Sequence, residues 1–349
     1  MSIPAIRQRF LRTARYWIAL CAHHTGLDFL YRRITGAGLV VLMLHRLRDE
    51  HDPYPLSTSK ASFQQLVRWM RERDVLVSLD DGLDALSDPH HAEVNYAITF
   101  DDGYRDNLAL IDMRSEAVPA IVYVVTGHVG GEPIWVYRLH QAVESRTRDR
   151  LDLGWLGLGH FDLSDADERE RLYALLPPRL KELDPHALDH CIHNVFEQTQ
   201  PRALPQEQRE MLNWQEIRNL ERNGVQIGAH TRNHVLLSRA DAGMARSEII
   251  GSHADIIAAI DVPPAHFAYP NGGASDFGDR DIDIVRQAGF KTAVTSVEGI
   301  NRRGTDPYRI LRHNVHEDRY RAPHGRLSPA LFFSETSGLL GWLRTRRVA

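Results

Sequence analysis

Cysteine is nearly absent. Cys21 and Cys191 are the only two in 349 residues, far apart and outside any Cys-x-x-Cys pair, so neither a disulfide framework nor a thiolate zinc cluster is written here. Long apolar runs are missing too, since no stretch approaches the roughly 18 residues that a spanning helix needs. The N-terminal apolar run breaks at His23-His24 with no clear small-residue cleavage site, which argues against a secretory signal. Nor does one charge dominate. With 42 basic against 46 acidic residues the formal net charge is -4, which speaks against a nucleic-acid footprint. Cytoplasmic residence is the resulting expectation.

What remains is ordinary globular composition, 43% hydrophobic and 25% charged, with material for one large α/β domain or two smaller ones. Apolar strand patterns recur. Leu39–Leu44 is a continuous run suited to a buried parallel strand ending at His45-Arg46, and Val94, Tyr96, Ile98 and Phe100 alternate towards Asp101-Asp102-Gly103. Further strands are expected at Val75–Leu79, Pro119–Val125, Val225–Ala229, Ala265–Tyr269, Phe290–Thr295 and Tyr308–Val315. Helical patterns separate them: Phe63, Leu66, Val67 and Met70 mark one face, with Ser62 and Gln65 as a capping box. Another helix is expected to run through Glu116, one to start at Asn213 with Glu216 and stop at Asn223-Gly224, one to lie near 241–259, and one to run towards Ala288. Strand–helix repetition of this kind predicts a parallel α/β barrel or sheet.

The alternation lapses between about Gly130 and Glu210. Because regular units resume afterwards, this stretch reads as an insertion, a lid or side wall on the same domain. Its Trp135, Tyr137 and Trp155 are first packing residues and second candidates for stacking on sugar faces. The N-terminal 1–37 reads as a helical segment in which Phe10, Ala14, Trp17, Ile18 and Cys21 follow helical spacing. Arg7, Arg9, Arg12 and Arg15 flank it, so it either packs on the domain or lies on an anionic membrane surface. Residues 317–349 read as a C-terminal appendage.

Chemistry concentrates at strand ends. Asp101 and Asp102 are adjacent on extended backbone and point in different directions, so one can face a metal and the other a substrate; the alternative is an ordinary helix start. His230 and His234, four residues apart after another strand, form a pair that suits a borderline-soft ion with Asp102 as third ligand. His313 follows a further strand. Barrel sites collect their residues from different strand ends in this way. Asp80-Asp81-Gly82 looks like a copy of the acidic turn but lacks partners, and reads as a helix start.

On these residues the chain resembles the NodB-homology polysaccharide deacetylases, carbohydrate esterase family 4, over roughly residues 38–316. Thr99-Phe100-Asp101-Asp102 is similar to that family's first motif, His230-Thr231-Arg232-Asn233-His234 to its His-Ser/Thr-x-x-His motif, and Leu311-Arg312-His313 to its Leu-x-His motif. Leu42-Met43-Leu44-His45-Arg46 and Tyr269-Pro270-Asn271-Gly272 resemble the bacterial exopolysaccharide-deacetylase branches. The resemblance implies a distorted (β/α)7-type barrel with a long insertion at 130–210. It implies Asp101 as general base, Asp102, His230 and His234 as metal ligands, His313 as general acid, and the backbone N–H of Asn271 in the oxyanion site. The chain departs from the family in two places. Ala268 stands where the family places an arginine that supports the catalytic acid, leaving Arg46, Arg105 and Arg312 as alternatives; and no Asp-x-x-Asp-Trp motif is present.

The activity implied is metal-dependent removal of N-acetyl groups from an oligosaccharide or polysaccharide, with zinc the first choice of divalent ion. Two alternatives stand beside it: deacylation of a small or lipid-linked sugar, and a carbohydrate-binding domain that keeps its metal pocket. Peripheral membrane contact and homo-oligomerisation are left open.

Overall fold

The computed structural model describes residues 3–345 apart from 51, 53–55, 114–117 and 204–208. The expected loop at Pro53 and Pro55 and the expected helix end at Glu116 fall outside the described residues. Seven parallel strands close into a barrel. In chain order they are β1 (Gly38–Leu44), β2 (Val94–Phe100), β3 (Ala120–Val124), β4 (Gln226–Ala229), β5 (His266–Ala268), β6 (Thr292–Glu298) and β7 (Ile310–Asn314). Each strand pairs with the next, and β7 returns to β1.

Strand alternation divides the side chains between two cores. Leu39, Val41, Ala97, Ile121, Tyr123, Ala268, Val294 and Ile310 fill the barrel. Val40, Leu42, Leu44, Tyr96, Ile98, Phe100, Val122 and Val124 point outward to the helices. Gly228 belongs to the interior because a Cβ there would lie 2.4 Å from the Tyr123 ring.

The helical layer includes α3 (Lys60–Glu72), α4 (Leu79–Ser87), the short α5 (Ala109–Asp112) and, after the insertion, α9 (Trp214–Arg222), α10 (Ala242–Ile260) and α11 (Asp279–Gln287). Phe63, Leu66, Val67 and Met70 are the buried face of α3, but its cap lies three residues before the expected one, at Ser59, whose side chain accepts from the Ser62 N–H. Residues 75–79 do not form a strand. Leu76 makes one bridge to Tyr96, and Ser78 caps α4, because a hydroxyl three residues before Asp81 satisfies its free N–H. Asp80 and Asp81 occupy that first helical turn, and Asn213 and Glu216 form a reciprocal capping box on α9.

Between β3 and β4, helices α6 (Trp135–Glu144), α7 (Ala166–Leu180) and α8 (Pro185–Thr199) gather a core of their own around Leu139, Leu172, Leu176, Ile192 and Val195. At the chain ends, α1 (Ile3–His24) and α2 (Leu27–Thr35) lie beside α12 (Pro329–Thr336) and α13 (Leu339–Thr345). Helix α12 is not peripheral. Phe332 and Phe333 pack on Tyr96, whose hydroxyl lies 2.9 Å from Thr336 Oγ1, so α12 covers the outer face of β2.

Candidate active site

The carboxyl ends of the strands bring the predicted residues together. β1 and β2 run in register, Leu44 opposite Phe100, so His45 and Asp101 follow as neighbours on the interior face. Asp102 comes next, in the left-handed region at φ 72°, and Gly103 at φ 80° completes the turn. His230 ends β4, while Thr231 (φ 62°) and His234 (φ 54°) bend the following loop back over it. Of seven non-glycine residues with positive φ among those described, four, Asp102, Thr231, His234 and Asn271, are in these turns. Backbone strain of this kind is retained where the surroundings over-determine it.

Helix α10 holds the histidine loop. Glu248 accepts from the N–H groups of Arg232 and Asn233 and from the Asn233 amide at 2.6–2.9 Å. Asp255 takes the Arg232 guanidinium at 2.7 and 2.8 Å.

Asp102 Oδ1 lies 3.5 Å from His230 Nε2 and 3.4 Å from His234 Nε2. That oxygen is buried and has no hydrogen-bond partner. His230 Nδ1 is 2.8 Å from the Ala268 carbonyl, which fixes the ring so that Nε2 faces the acid. Burial holds both imidazoles below their usual pKa, His234 further lowered by His230 beside it. Burial, with the Asp101 charge next door, pushes Asp102 up to about 8. A desolvated carboxylate facing two neutral imidazoles is a donor set for a divalent cation, whose charge relieves the cost of burying the acid. The three residues' ligand atoms all lie within 4.8 Å of one another.

Asp101 is held differently. Arg312, fully buried, donates to both its oxygens at 2.7 Å, and also to the Thr295 carbonyl at 2.6 Å and to Thr99 Oγ1 at 3.2 Å. Burial opposes ionisation of Asp101, but the guanidinium overrides it and keeps the acid well below the usual carboxylate range. Arg312 therefore supplies from β7 the support that Ala268 cannot give from β5. The other two arginines are spent elsewhere. Arg46 pairs with Asp106 and Glu210 and lies over the Tyr104 and Tyr137 rings, and Arg105 pairs with Glu216.

His313 is not in the cleft. Arg312 points into the barrel, so its neighbour on the strand points out, and His313 Nε2 meets the Tyr320 hydroxyl at 3.0 Å under α12. The expectation that His313 is the acid fails on this geometry. His45 takes the interior place instead. It lines a cavity of about 320 Å³ with Asp101, Asp102, His230, His234 and Asn271, and burial there lowers its pKa to about 4. Trp135 and Lys181 of the insertion line the same cavity. Tyr137 is instead packed against Tyr104, and Trp155 is exposed on the insertion.

Asn271 follows Pro270 in a left-handed turn, and its backbone N–H donates to no backbone carbonyl among the described residues. Gly272 beside it cannot carry a side chain, since a Cβ would come within 2.8 Å of the Ser296 nitrogen.

Comparison with known proteins agrees with this geometry. The family model "Polysaccharide deacetylase" matches residues 90–293, more than half of the chain, and the chain belongs to that family, the NodB-homology deacetylases. Among solved structures, Streptococcus pyogenes deacetylase PplD in complex with acetate is similar at 16% identity over 83% of this chain and 96% of that one, TM-score 0.53. IcaB from Ammonifex degensii is similar at 19% identity, covering 81% and 94% respectively, TM-score 0.53. BC0361, a polysaccharide deacetylase from Bacillus cereus, is similar at 14% identity, covering 86% and 69%, TM-score 0.51. At these identities the likeness is one of fold. No curated protein sequence matches the chain.

Proposed function

We propose that this metal-dependent deacetylase hydrolyses the N-acetyl group of an amino sugar within a bacterial glycan, releasing acetate and a free amine. The observation that carries the reading is the pairing of a partnerless buried carboxylate oxygen, on Asp102, with a second carboxylate, Asp101, that an arginine keeps ionised. Asp102, His230 and His234 would hold a divalent ion, zinc by the character of the donors, which when bound supplies Lewis-acid polarisation of the acetyl carbonyl.

Asp101 accepts a proton from water as the water oxygen bonds to the carbonyl carbon. Arg312 keeps the acid ionised and oriented but leaves it a weak base, so its contribution depends on position more than on basicity. The Asn271 backbone N–H is the candidate donor to the developing oxyanion. As the carbon–nitrogen bond breaks, the proton must reach the amine. His45, beside Asp101 and with no ring partner among the described residues, is the side chain placed to pass it on. Trp135 and Lys181 give the insertion a share in binding the sugar.

Acetate release from a panel of N-acetylated oligosaccharides, polymeric and lipid-linked glycans, measured on protein of known metal content, tests the reading. Stoichiometric metal with turnover on at least one member is expected. Metal occupancy without acetate from any of them would leave a carbohydrate-binding module in place of an enzyme.

A further inference from the structure

Large apolar side chains that remain exposed are not scattered evenly. Of eleven among the described residues, seven come from the terminal helices: Leu11 and Trp17 on α1, Leu27, Phe29, Leu30 and Ile34 on α2, and Trp342 on α13. Helix α2 is the extreme case. Phe29 is 61% and Ile34 75% exposed, in a nine-residue helix that buries Asp28 and rests Tyr31 against Trp342, ring centroids 5.8 Å apart. The inner side of α1 is already used, with Tyr16, Ala19 and Leu20 packed on Ala330, Leu331 and Leu340. What is left outward is an exposed apolar surface to which both ends of the chain contribute.

Its charge is as one-sided as its hydrophobicity. Residues 1–37 contain six arginines, no lysine and a single acid, the buried Asp28, in a chain whose net charge is -4. Arg12 and Arg33 are exposed. Arg15, by contrast, is turned to Glu335 at 3.0 Å.

We propose that this face docks on the surface of an anionic phospholipid bilayer. Leu27, Phe29, Leu30 and Ile34 would enter the acyl boundary, Trp17 and Trp342 would sit at headgroup level, and Arg12 and Arg33 would meet the phosphates. A second copy of the chain is a poorer occupant, because a two-fold contact would set arginines against arginines with no exposed acid in the segment to answer them. A nucleic acid would leave the aliphatic side chains unused. The helices cannot do more than lie on the surface, since no helix among the described residues is long and apolar enough to cross a membrane. The proposal does not depend on the catalytic reading.

The test is co-sedimentation of the full chain with vesicles of phosphatidylcholine alone or mixed with phosphatidylglycerol. Binding to the mixed vesicles, weakened by salt and absent on phosphatidylcholine alone, is expected. Arg12→Glu with Arg33→Glu should weaken it by roughly tenfold or more, and Leu30→Ser with Ile34→Ser should remove it. These positions are exposed, and unchanged circular dichroism and melting would show that the variants fold. Failure of the wild type to sediment with mixed vesicles overturns the proposal. So does equal binding of the variants, or a dimer in solution that Ile34→Ser dissociates while no vesicle is bound.

Discussion

Both ends of the barrel carry a histidine facing an aspartate, and only one of them is built as a site. At the amino ends of the strands His266 is buried, with Nδ1 2.8 Å from Thr292 Oγ1 and Nε2 3.4 Å from Asp80 Oδ2. Asp80 also accepts from the Gln226 amide at 3.2 Å and stands partly in solvent in the first turn of α4. One acid meets one imidazole there, on backbone with no positive φ. At the carboxyl ends one acid faces two imidazoles, an oxygen is buried without a partner, and four non-glycine residues are held left-handed. Residue type does not separate the two clusters. What separates them is convergence: the lower group sets one imidazole nitrogen against an acid that is 42% exposed, whereas the upper one turns a buried acid and two imidazoles on a common point, with ligand atoms within 4.8 Å of one another.

Substitutions at the two ends should differ accordingly. Asp101→Asn keeps the shape and removes the proton acceptor, so acetate release is expected to fall on the order of 10³-fold while bound metal, read by atomic absorption, stays at wild-type level. Arg312→Met leaves Asp101 buried without its counter-ion, which should lower unfolding free energy by about 3–5 kcal/mol in denaturant titration and also reduce turnover. His45→Gln should cost on the order of 10²-fold in kcat, whereas His313→Gln, off the cleft, should keep kcat close to wild type. The smallest effect belongs to the lower end. Contact with His266, outweighing partial burial, draws Asp80 down from 3.8 to about 2. A carboxylate with a depressed folded-state value stabilises above its unfolded pKa and loses that contribution as pH falls through the folded one. Solvent screening limits it to about 1 kcal/mol. The stability difference between wild type and Asp80→Asn should therefore be present at neutral pH and vanish as pH falls from about 4 to about 2, while at neutral pH the two release acetate equally.

Much of this arrangement was legible in the sequence, and what was not has identifiable causes. The apolar alternation before Asp101 and the short strand pattern before His230 are local signals, and they placed the metal-ligand candidates at strand ends. The arginine that steadies Asp101 has no local signal, because the contact joins β2 to β7 through the barrel interior. His313 fell to the strand's two-residue period. Leu311-Arg312-His313 resembles a family motif, yet Arg312 occupies the inward position, and a shift of one residue reverses the face. The same period identifies His45, which shares parity with Leu39, Val41 and Met43 on β1; that signal was present and unused. Residues 75–79 have strand composition, but Ser78 offers a helix cap, and the cap prevailed. The N-terminal segment was readable as an amphipathic helix, while its convergence with the C-terminal helices on one surface needed the fold.

The direct test of the central claim is calorimetric titration of zinc into chelator-stripped wild type, Asp102→Asn and Asp80→Asn. One ion per chain is predicted for wild type and Asp80→Asn, with binding lost in Asp102→Asn. Undiminished binding by Asp102→Asn, or its loss in Asp80→Asn, would contradict the assignment of the cation to the carboxyl end of the barrel.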